Sequence, residues 1–185
     1  GFRIGLHSAQ GYFGVTPDLA SFAKAVCGGI PGAAFGVRED VMSVLDDCTC
    51  LIPGTYNGNS LSAAAMKAVI TELARNDGEA YRIIERLGGM FRDGVLEAAR
   101  RHGIPMIMQG FPGALFPVFT QREVIRNHRE ALLYSDLDKM HRFGALMKAN
   151  GVVGDDRYCV SLAHTEEDVL RSVEIADRVL GIMKE

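Results

Sequence analysis

The sequence predicts an α/β fold built from two segments of different character. Residues 1–75 are rich in glycine and carry short apolar runs broken by turn signals, which is typical of short strands joined by loops. Residues 76–185 carry apolar positions at intervals of three and four, which indicate amphipathic helices, and these alternate with strand-like runs. We therefore expect an α/β segment over 1–75 followed by an α+β segment over 76–185.

The α+β segment opens with a long helix. Its predicted buried face comprises Ala80, Ile84, Leu87, Phe91, Val95 and Ala98. Gly103 and Pro105 end this helix, because neither residue continues a helix well. Two strands are expected next, over 104–109 and 114–120, with a Gly-Phe-Pro-Gly turn between them.

A loop, a helix and a strand are expected after this hairpin. The polar stretch 121–134 is interpreted as a surface loop, and the apolar spacing over 137–147 predicts a helix. Residues 158–163 predict a strand, and we expect His164, which follows it, to have a structural role.

The last helix has the clearest start signal. Thr165 and Asp168 have the spacing of a capping box, in which each residue satisfies a backbone N–H of the other. The acidic residues that follow Thr165 lie in the first turn, where the helix dipole favours negative charge. The sequence therefore predicts that this helix begins at Thr165.

Composition and charge exclude several classes of function. Hydrophobic residues make up 48% and charged residues 23% of the chain, which is typical of a globular protein and not of a disordered one. Lys and Arg total 20 against 23 Asp and Glu, for a net charge of −3. No basic cluster is denser than residues 100–102, so nucleic-acid binding has no electrostatic footprint in this sequence.

The sequence also bears on the location of the protein, on metal binding and on what precedes Gly1. No apolar run reaches the roughly 18 residues that span a bilayer, and no secretory signal is present, so we expect a cytoplasmic protein without membrane contact. The close pair Cys48 and Cys50 lacks the two-residue gap of zinc and thioredoxin-like sites, so we expect no metal. Because Gly1 lies inside an apolar element, we expect that an N-terminal part of a longer protein precedes it.

Lys24 is the first candidate for chemistry. Residues 18–24 predict a short strand that ends in this lysine, and a Gly-Gly-Ile-Pro turn follows over 28–31. Ligands of open α/β folds bind at the carboxyl ends of strands. The apolar neighbours of Lys24 would favour a neutral amine able to form a Schiff base. A solvated surface lysine is the alternative interpretation.

The second candidate is a Gly- and Asn-rich loop over 53–61 that contains Gly54 and Thr55 and leads into an Ala-rich helix. Free backbone N–H groups at a helix N-terminus, together with hydroxyls, suit a phosphate group. An ordinary loop with a helix cap at Asn59 or Ser60 is the alternative.

Five blocks of this sequence occur in the order found in one protein family. They are residues 1–3, 9–19, Lys24 with 28–31, 54–59 and 161–168. On these blocks the sequence resembles the class III pyridoxal-phosphate-dependent aminotransferases, and among them the branch that includes glutamate-1-semialdehyde 2,1-aminomutase.

The resemblance implies a fold, a cofactor and site residues. It implies fold type I of the pyridoxal-phosphate-dependent transferases, with 1–75 as the C-terminal part of the cofactor-binding large domain and 76–185 as the small domain. Lys24 would form the Schiff base with pyridoxal 5'-phosphate and shuttle a proton. Thr55, next to Gly54, would reach the cofactor phosphate of the neighbouring protomer, so active sites would lie at a homodimer interface. The substrates would be an amino donor and an oxo or aldehyde acceptor.

The same resemblance shows what this chain lacks and where it departs from the family. The acid that pairs with the pyridine nitrogen, the first phosphate loop and the ring-stacking aromatic all lie upstream of Gly1 in the family. Gly32 stands where relatives usually carry a larger apolar residue, and residues 151–160 are shorter than the corresponding family segment.

Two rival functions remain alongside the transaminase. The aminomutase uses the same lysine but moves the amino group within one molecule, and Asn57 favours the transaminase because the mutases more often show Leu-Ser after the loop threonine. A non-catalytic paralogue that retains the fold is the rival of another class, and Lys24 argues against it.

We predict that these 185 residues expressed alone will not be an active enzyme. They lack the groups that make the cofactor an electron sink, and unpaired strand edges favour aggregation. Size-exclusion chromatography, absorbance after addition of pyridoxal phosphate and a transamination assay test this. A monodisperse product with a stoichiometric Schiff base at Lys24 and measurable turnover would contradict it.

Overall fold

The structure is a computed structural model that describes residues 1–154 and 156–184. The chain divides into two compact units, Gly1–Tyr81 and Arg82–Glu185. The domain boundary expected between residues 75 and 76 remains a prediction.

The first unit is built around a β-hairpin. Helix α1 (Ser8–Phe13) precedes strands β1 (Leu19–Ala23) and β2 (Ala33–Val37), which pair antiparallel with Leu19 opposite Val37 and Ala23 opposite Ala33. A short 3-10 turn, Lys24–Cys27, follows β1. Helix α2 (Glu39–Asp46) comes after β2.

Helix α3 (Ser60–His102) is broken at residues 75–78. Arg75 has extended dihedral angles, and Asn76, Asp77 and Gly78 have positive φ angles of 50°, 55° and 71°. Asn, Asp and Gly adopt the left-handed conformation at least cost, so the local sequence accounts for the break.

The core of the first unit is small. Phe2, Val26 and Cys27 are buried there, and residues of α3 pack against them. The Tyr81 hydroxyl donates to the Phe2 carbonyl at 3.0 Å. Burial of the Tyr81 phenol raises its pKa to about 12.

The second unit combines a hairpin with helices. Strands β3 (Met106–Phe111) and β4 (Ala114–Phe119) pair antiparallel. Helices α4 (His128–Tyr134), α5 (Leu137–Ala149) and α6 (Glu166–Met183) follow. Gly110 has a φ of 108°, and a Cβ there would overlap the Ala114 carbonyl, so the hairpin requires glycine at this position.

The second unit has the larger core. Its buried residues come from α3, both strands, α5, the segment before α6 and α6 itself, and they are Leu87, Phe91, Val95, Ala98, Ala99, Met108, Leu115, Phe119, Phe143, Met147, Tyr158, Val169, Ile175, Ala176, Val179, Leu180 and Met183. The buried face predicted for the long helix is confirmed, with Ile84, its second position, half-buried.

Two expectations for the second unit are wrong. The predicted loop 121–134 ends in helix α4, because the Asn127 side chain accepts from the Glu130 N–H and caps a helical turn that the polar composition concealed. The predicted strand 158–163 is reduced to a single bridge between Tyr158 and Leu115. An apolar run becomes a strand only where a neighbouring strand offers its free edge along the run, and here the pairing with β4 ends after one residue.

The capping box at the start of α6 is confirmed. The Thr165 hydroxyl oxygen accepts from the Asp168 N–H at 3.2 Å, and the Asp168 carboxylate accepts from the Thr165 N–H at 2.8 Å. The Thr165 N–H and the Thr165 hydroxyl, which also donates to this carboxylate at 2.8 Å, hold the pKa of Asp168 below its usual range. No helix in the described part of the chain is both long and apolar enough to cross a bilayer.

We predict that Thr165→Ala destabilises the second unit of the full-length protein by about 1 kcal/mol, because α6 loses its N-cap acceptor. Thr165→Ser keeps the hydroxyl and should lie close to the wild type. Denaturant unfolding followed by circular dichroism measures the difference. Equal midpoints for the Ala and Ser variants would contradict the capping role.

Candidate active site

Lys24 lies directly after β1, at the first position of the 3-10 turn. The strand predicted over 18–24 is present but one residue shorter at each end, Leu19–Ala23, so Lys24 lies in the turn and not in the strand. Lys24 has a φ of 56°, in the left-handed region that non-glycine residues rarely adopt. Backbone conformations of this kind cost about 1–3 kcal/mol each and cluster at functional sites.

The side chain of Lys24 is exposed, so the expected apolar surroundings are wrong for this chain. The neighbouring apolar residues Val26 and Cys27 are buried in the core instead. Successive residues at a strand end and in a tight turn point in different directions, so the apolar residues next to Lys24 in the sequence do not surround its amine. Among the described residues, no group forms an ion pair or hydrogen bond with the Lys24 ammonium.

The turn that follows Lys24 lies against helix α3. Gly28 has a φ of 59°, and its N–H donates to the Ala25 carbonyl at 3.3 Å. A Cβ at Gly28 would approach Cγ2 of Val69 to 2.6 Å. Gly28 therefore satisfies both a left-handed conformation and a close helix contact.

The Gly- and Asn-rich loop is held by its own amide groups. The Asn57 side chain donates to the Ile52 carbonyl at 2.7 Å, and the Asn57 N–H donates to the Gly54 carbonyl at 3.1 Å. A Cβ at Gly54 would lie 2.6 Å from Oδ1 of Asn57. Gly54 thus allows the loop to close around Asn57.

Thr55 lies on this loop, just before α3. Its side chain is exposed, and nothing in the described ranges hydrogen-bonds its hydroxyl. The cap expected at Asn59 or Ser60 is at Asn59, whose Oδ1 accepts from the Ser62 N–H at 2.9 Å. Thr55 therefore offers a free hydroxyl four residues before the cap of α3, whose N-terminus is the positive end of the helix dipole.

The Lys24 amine and the Thr55 hydroxyl fit a cofactor that carries an aldehyde and a phosphate. An unpaired primary amine suits the carbonyl carbon, and a free hydroxyl near a helix N-terminus suits the phosphate. In the described chain no hydrogen bond links Lys24 with Thr55, so the two groups stand as separate parts of a site.

Two contacts around these motifs were not expected from the sequence. Arg38 binds the carboxylates of Asp18 and Asp40 at the hairpin end opposite Lys24, and Arg38 holds the pKa of Asp40 below its usual range. The Ser62 hydroxyl donates to the Pro31 carbonyl at 2.6 Å. The Asn59-x-x-Ser62 spacing is a local signal for the cap, but nothing local indicates a bond across 31 residues.

His164, for which the sequence predicts a structural role, forms a local contact in the structure. Its Nδ1 accepts from the Ser161 N–H at 3.1 Å, in the turn before α6. The described residues hold no group of three His, Cys, Asp or Glu side chains that could bind a metal.

Residues 3–169 match the sequence profile of the family described as aminotransferase class-III. The chain belongs to the class III aminotransferase family. It is 34% identical to a glutamate-1-semialdehyde 2,1-aminomutase from Bacillus pumilus, over 97% of this chain and 42% of that protein.

Solved structures show the same fold. An omega-transaminase from Sphaerobacter thermophilus superposes with a TM-score of 0.83 at 24% identity, covering 97% of this chain and 42% of that one. A transaminase with PLP bound superposes with a TM-score of 0.82 at 22% identity, covering 98% of this chain and 42% of that one. The chain therefore spans less than half the length of these relatives, and its predicted fold class is confirmed: α/β, the C-terminal part of fold type I.

Proposed function

We propose that the full-length protein containing this class III chain is a pyridoxal 5'-phosphate-dependent aminotransferase. It moves an amino group between an amino compound and an oxo acid or aldehyde, and it works in the cytoplasm as a homodimer with active sites at the interface. The observation that carries the proposal is Lys24, an exposed amine without an ion-pair partner in the described chain, placed after β1 and before the Gly28 turn.

Lys24 has two tasks in this proposal. Its Nζ would hold the cofactor through the aldehyde carbon, and the same amine would take and return the substrate proton as general base and acid. The cofactor, when bound, supplies the electron sink. The left-handed backbone of Lys24 supports the role, because it turns the chain sharply at the strand end and leaves the amine exposed.

Gly54 and Thr55 hold the phosphate in this proposal. Because Gly54 has no Cβ, the Asn57 side chain can lie against it and close the loop. In the closed loop the Thr55 hydroxyl is available as a donor. The resemblance assigns this hydroxyl to the cofactor of the neighbouring protomer, which is why the proposal includes a homodimer.

We predict that Lys24→Ala in the full-length protein lowers turnover by at least about 100-fold, the lower bound for a proton-transfer group. The fold should persist, because the side chain has no partner among the described residues. Lys67→Ala, an exposed lysine on α3, is the matched control.

Borohydride reduction followed by peptide mass spectrometry locates the cofactor link directly. Cofactor on Lys24 in the wild type, and its loss in Lys24→Ala alone, is the expected result. Cofactor on another lysine, or wild-type turnover in Lys24→Ala, would refute the assignment. No cofactor on any lysine would favour a non-catalytic paralogue.

We predict that Thr55→Ala weakens cofactor binding by about 1.5–3 kcal/mol, or about 10- to 100-fold in Kd, because a hydrogen bond to a charged acceptor is lost. Thr55→Ser keeps the hydroxyl and should bind nearly as the wild type does. Titration of the cofactor-free protein with pyridoxal phosphate gives both constants. Equal constants for the Ala and Ser variants would remove Thr55 from the phosphate site.

Glutamate-1-semialdehyde 2,1-aminomutase is the second candidate, and the 34% identity to such an enzyme favours it. Full-length protein given an amine donor without an acceptor distinguishes the two functions. A transaminase accumulates the pyridoxamine form with a range of donors, whereas a mutase exchanges only with glutamate semialdehyde. The Asn57 signature favours the first outcome.

A further inference from the structure

Ser62 connects the two candidate motifs through its own two polar groups. Its hydroxyl donates to the Pro31 carbonyl at 2.6 Å, in the turn that follows Lys24. Its N–H donates to Oδ1 of Asn59 at 2.9 Å, at the end of the loop that carries Thr55. One half-buried residue in the first turn of α3 is therefore bonded to both segments.

Gly32 makes this contact geometrically allowed. A Cβ at this position would lie 3.3 Å from Cβ of Ser62 and 2.6 Å from Sγ of Cys27. The space that a side chain would need is filled from one side by the buried Cys27 and from the other by Ser62. Family members usually carry a larger apolar residue at position 32. In this chain the glycine leaves room for Ser62 of α3, which forms a polar contact with the turn.

The turn contacts α3 through the polar Ser62 bond and through apolar side chains. Gly28 lies against Val69 further along the helix, and that contact is apolar. None of these contacts involves the cofactor, so the polypeptide itself fixes the position of the turn on α3.

We propose that Ser62 is a positioning residue that ties the turn after Lys24 to the loop of Thr55. A displacement of either segment is transmitted to the other through the first turn of α3. The proposal rests on the proposed function, because it assigns Lys24 to the cofactor aldehyde and Thr55 to a cofactor phosphate. In the proposed homodimer these two groups of one chain serve different active sites, so Ser62 couples one site to its neighbour.

Ser62→Ala cuts this connection selectively. It removes the hydroxyl that binds Pro31 but keeps the N–H that binds Asn59, so the α3 cap stays intact. Ser43→Ala is the matched control, because it also removes a hydroxyl bond to a backbone carbonyl, that of Asp40 at 2.8 Å, in helix α2.

The test measures two properties of the full-length protein. Hydrogen exchange of the peptide covering residues 24–32 is followed in the cofactor-free protein, and the Kd for pyridoxal phosphate is measured by titration. Ser62→Ala should speed exchange of this peptide and raise the Kd about threefold to tenfold, as expected for one neutral hydrogen bond. Ser43→Ala should leave both properties at wild-type values.

Ser62→Thr and Ser62→Val form a second pair of nearly equal shape that differs in the hydroxyl. The Thr variant should restore both properties toward wild type, and the Val variant should resemble Ser62→Ala. If Ser62→Ala does not fold, the comparison of the Thr and Val variants replaces it.

Each outcome separates the inference from the function on which it rests. If Ser62→Ala matches Ser43→Ala, or Thr matches Val, in both measurements, the coupling is overturned. Faster exchange with an unchanged Kd makes the contact structural only, which also overturns the positioning role. If the wild type itself binds no pyridoxal phosphate at Lys24, the proposed function fails, whatever the exchange rates show.

Discussion

The close approach of α3 to the turn after Lys24 is the constraint on which the first unit depends. Val69 of α3 fills the place of a Cβ at Gly28, and Cys27 does the same at Gly32. A side chain at Gly28 would push helix and turn apart, and one at Gly32 would displace the buried Cys27. The small core of this unit depends on the same packing, because Val26 and Cys27 reach it from the turn. While Val26 and Cys27 are buried in this core, the side chain of Lys24 at the start of the same turn is exposed.

The second unit depends on a different interaction, a chain of aromatic contacts. The Phe119 and Phe143 rings lie 5.6 Å apart, Phe143 and Tyr158 lie 6.2 Å apart, and Tyr158 and Phe91 lie 5.3 Å apart. These contacts join β4, α5, the segment before α6 and α3. They also explain why Tyr158 is well anchored although it forms only one bridge to β4. Aromatic pairs add about 0.5–1.5 kcal/mol each beyond the area they bury.

Local interactions were predictable from the sequence, and non-local ones were not. The capping box of Thr165 and Asp168 involves residues three apart, so the sequence contains the whole interaction. The buried face that begins at Ala80 is likewise a property of one helix. Helix α4 was missed because its polar sequence hides the cap at Asn127, and the strand at 158–163 was overestimated because pairing depends on the partner edge.

The sequence by itself determined the long amphipathic helices of the second unit, the glycine-containing turns after Lys24 and between β3 and β4, the order of the family blocks and the identities of Lys24, Gly54 and Thr55 as candidates. Residue type and short-range spacing are sufficient for these, because the chemistry of an amine or a hydroxyl does not depend on the fold. Only the tertiary structure decided that Lys24 is exposed while Val26 and Cys27 are buried, and that Ser62 reaches Pro31 across 31 residues. The physical reason is that burial and long-range hydrogen bonds depend on which surfaces the folded chain brings into contact, and α3 supplies that surface here.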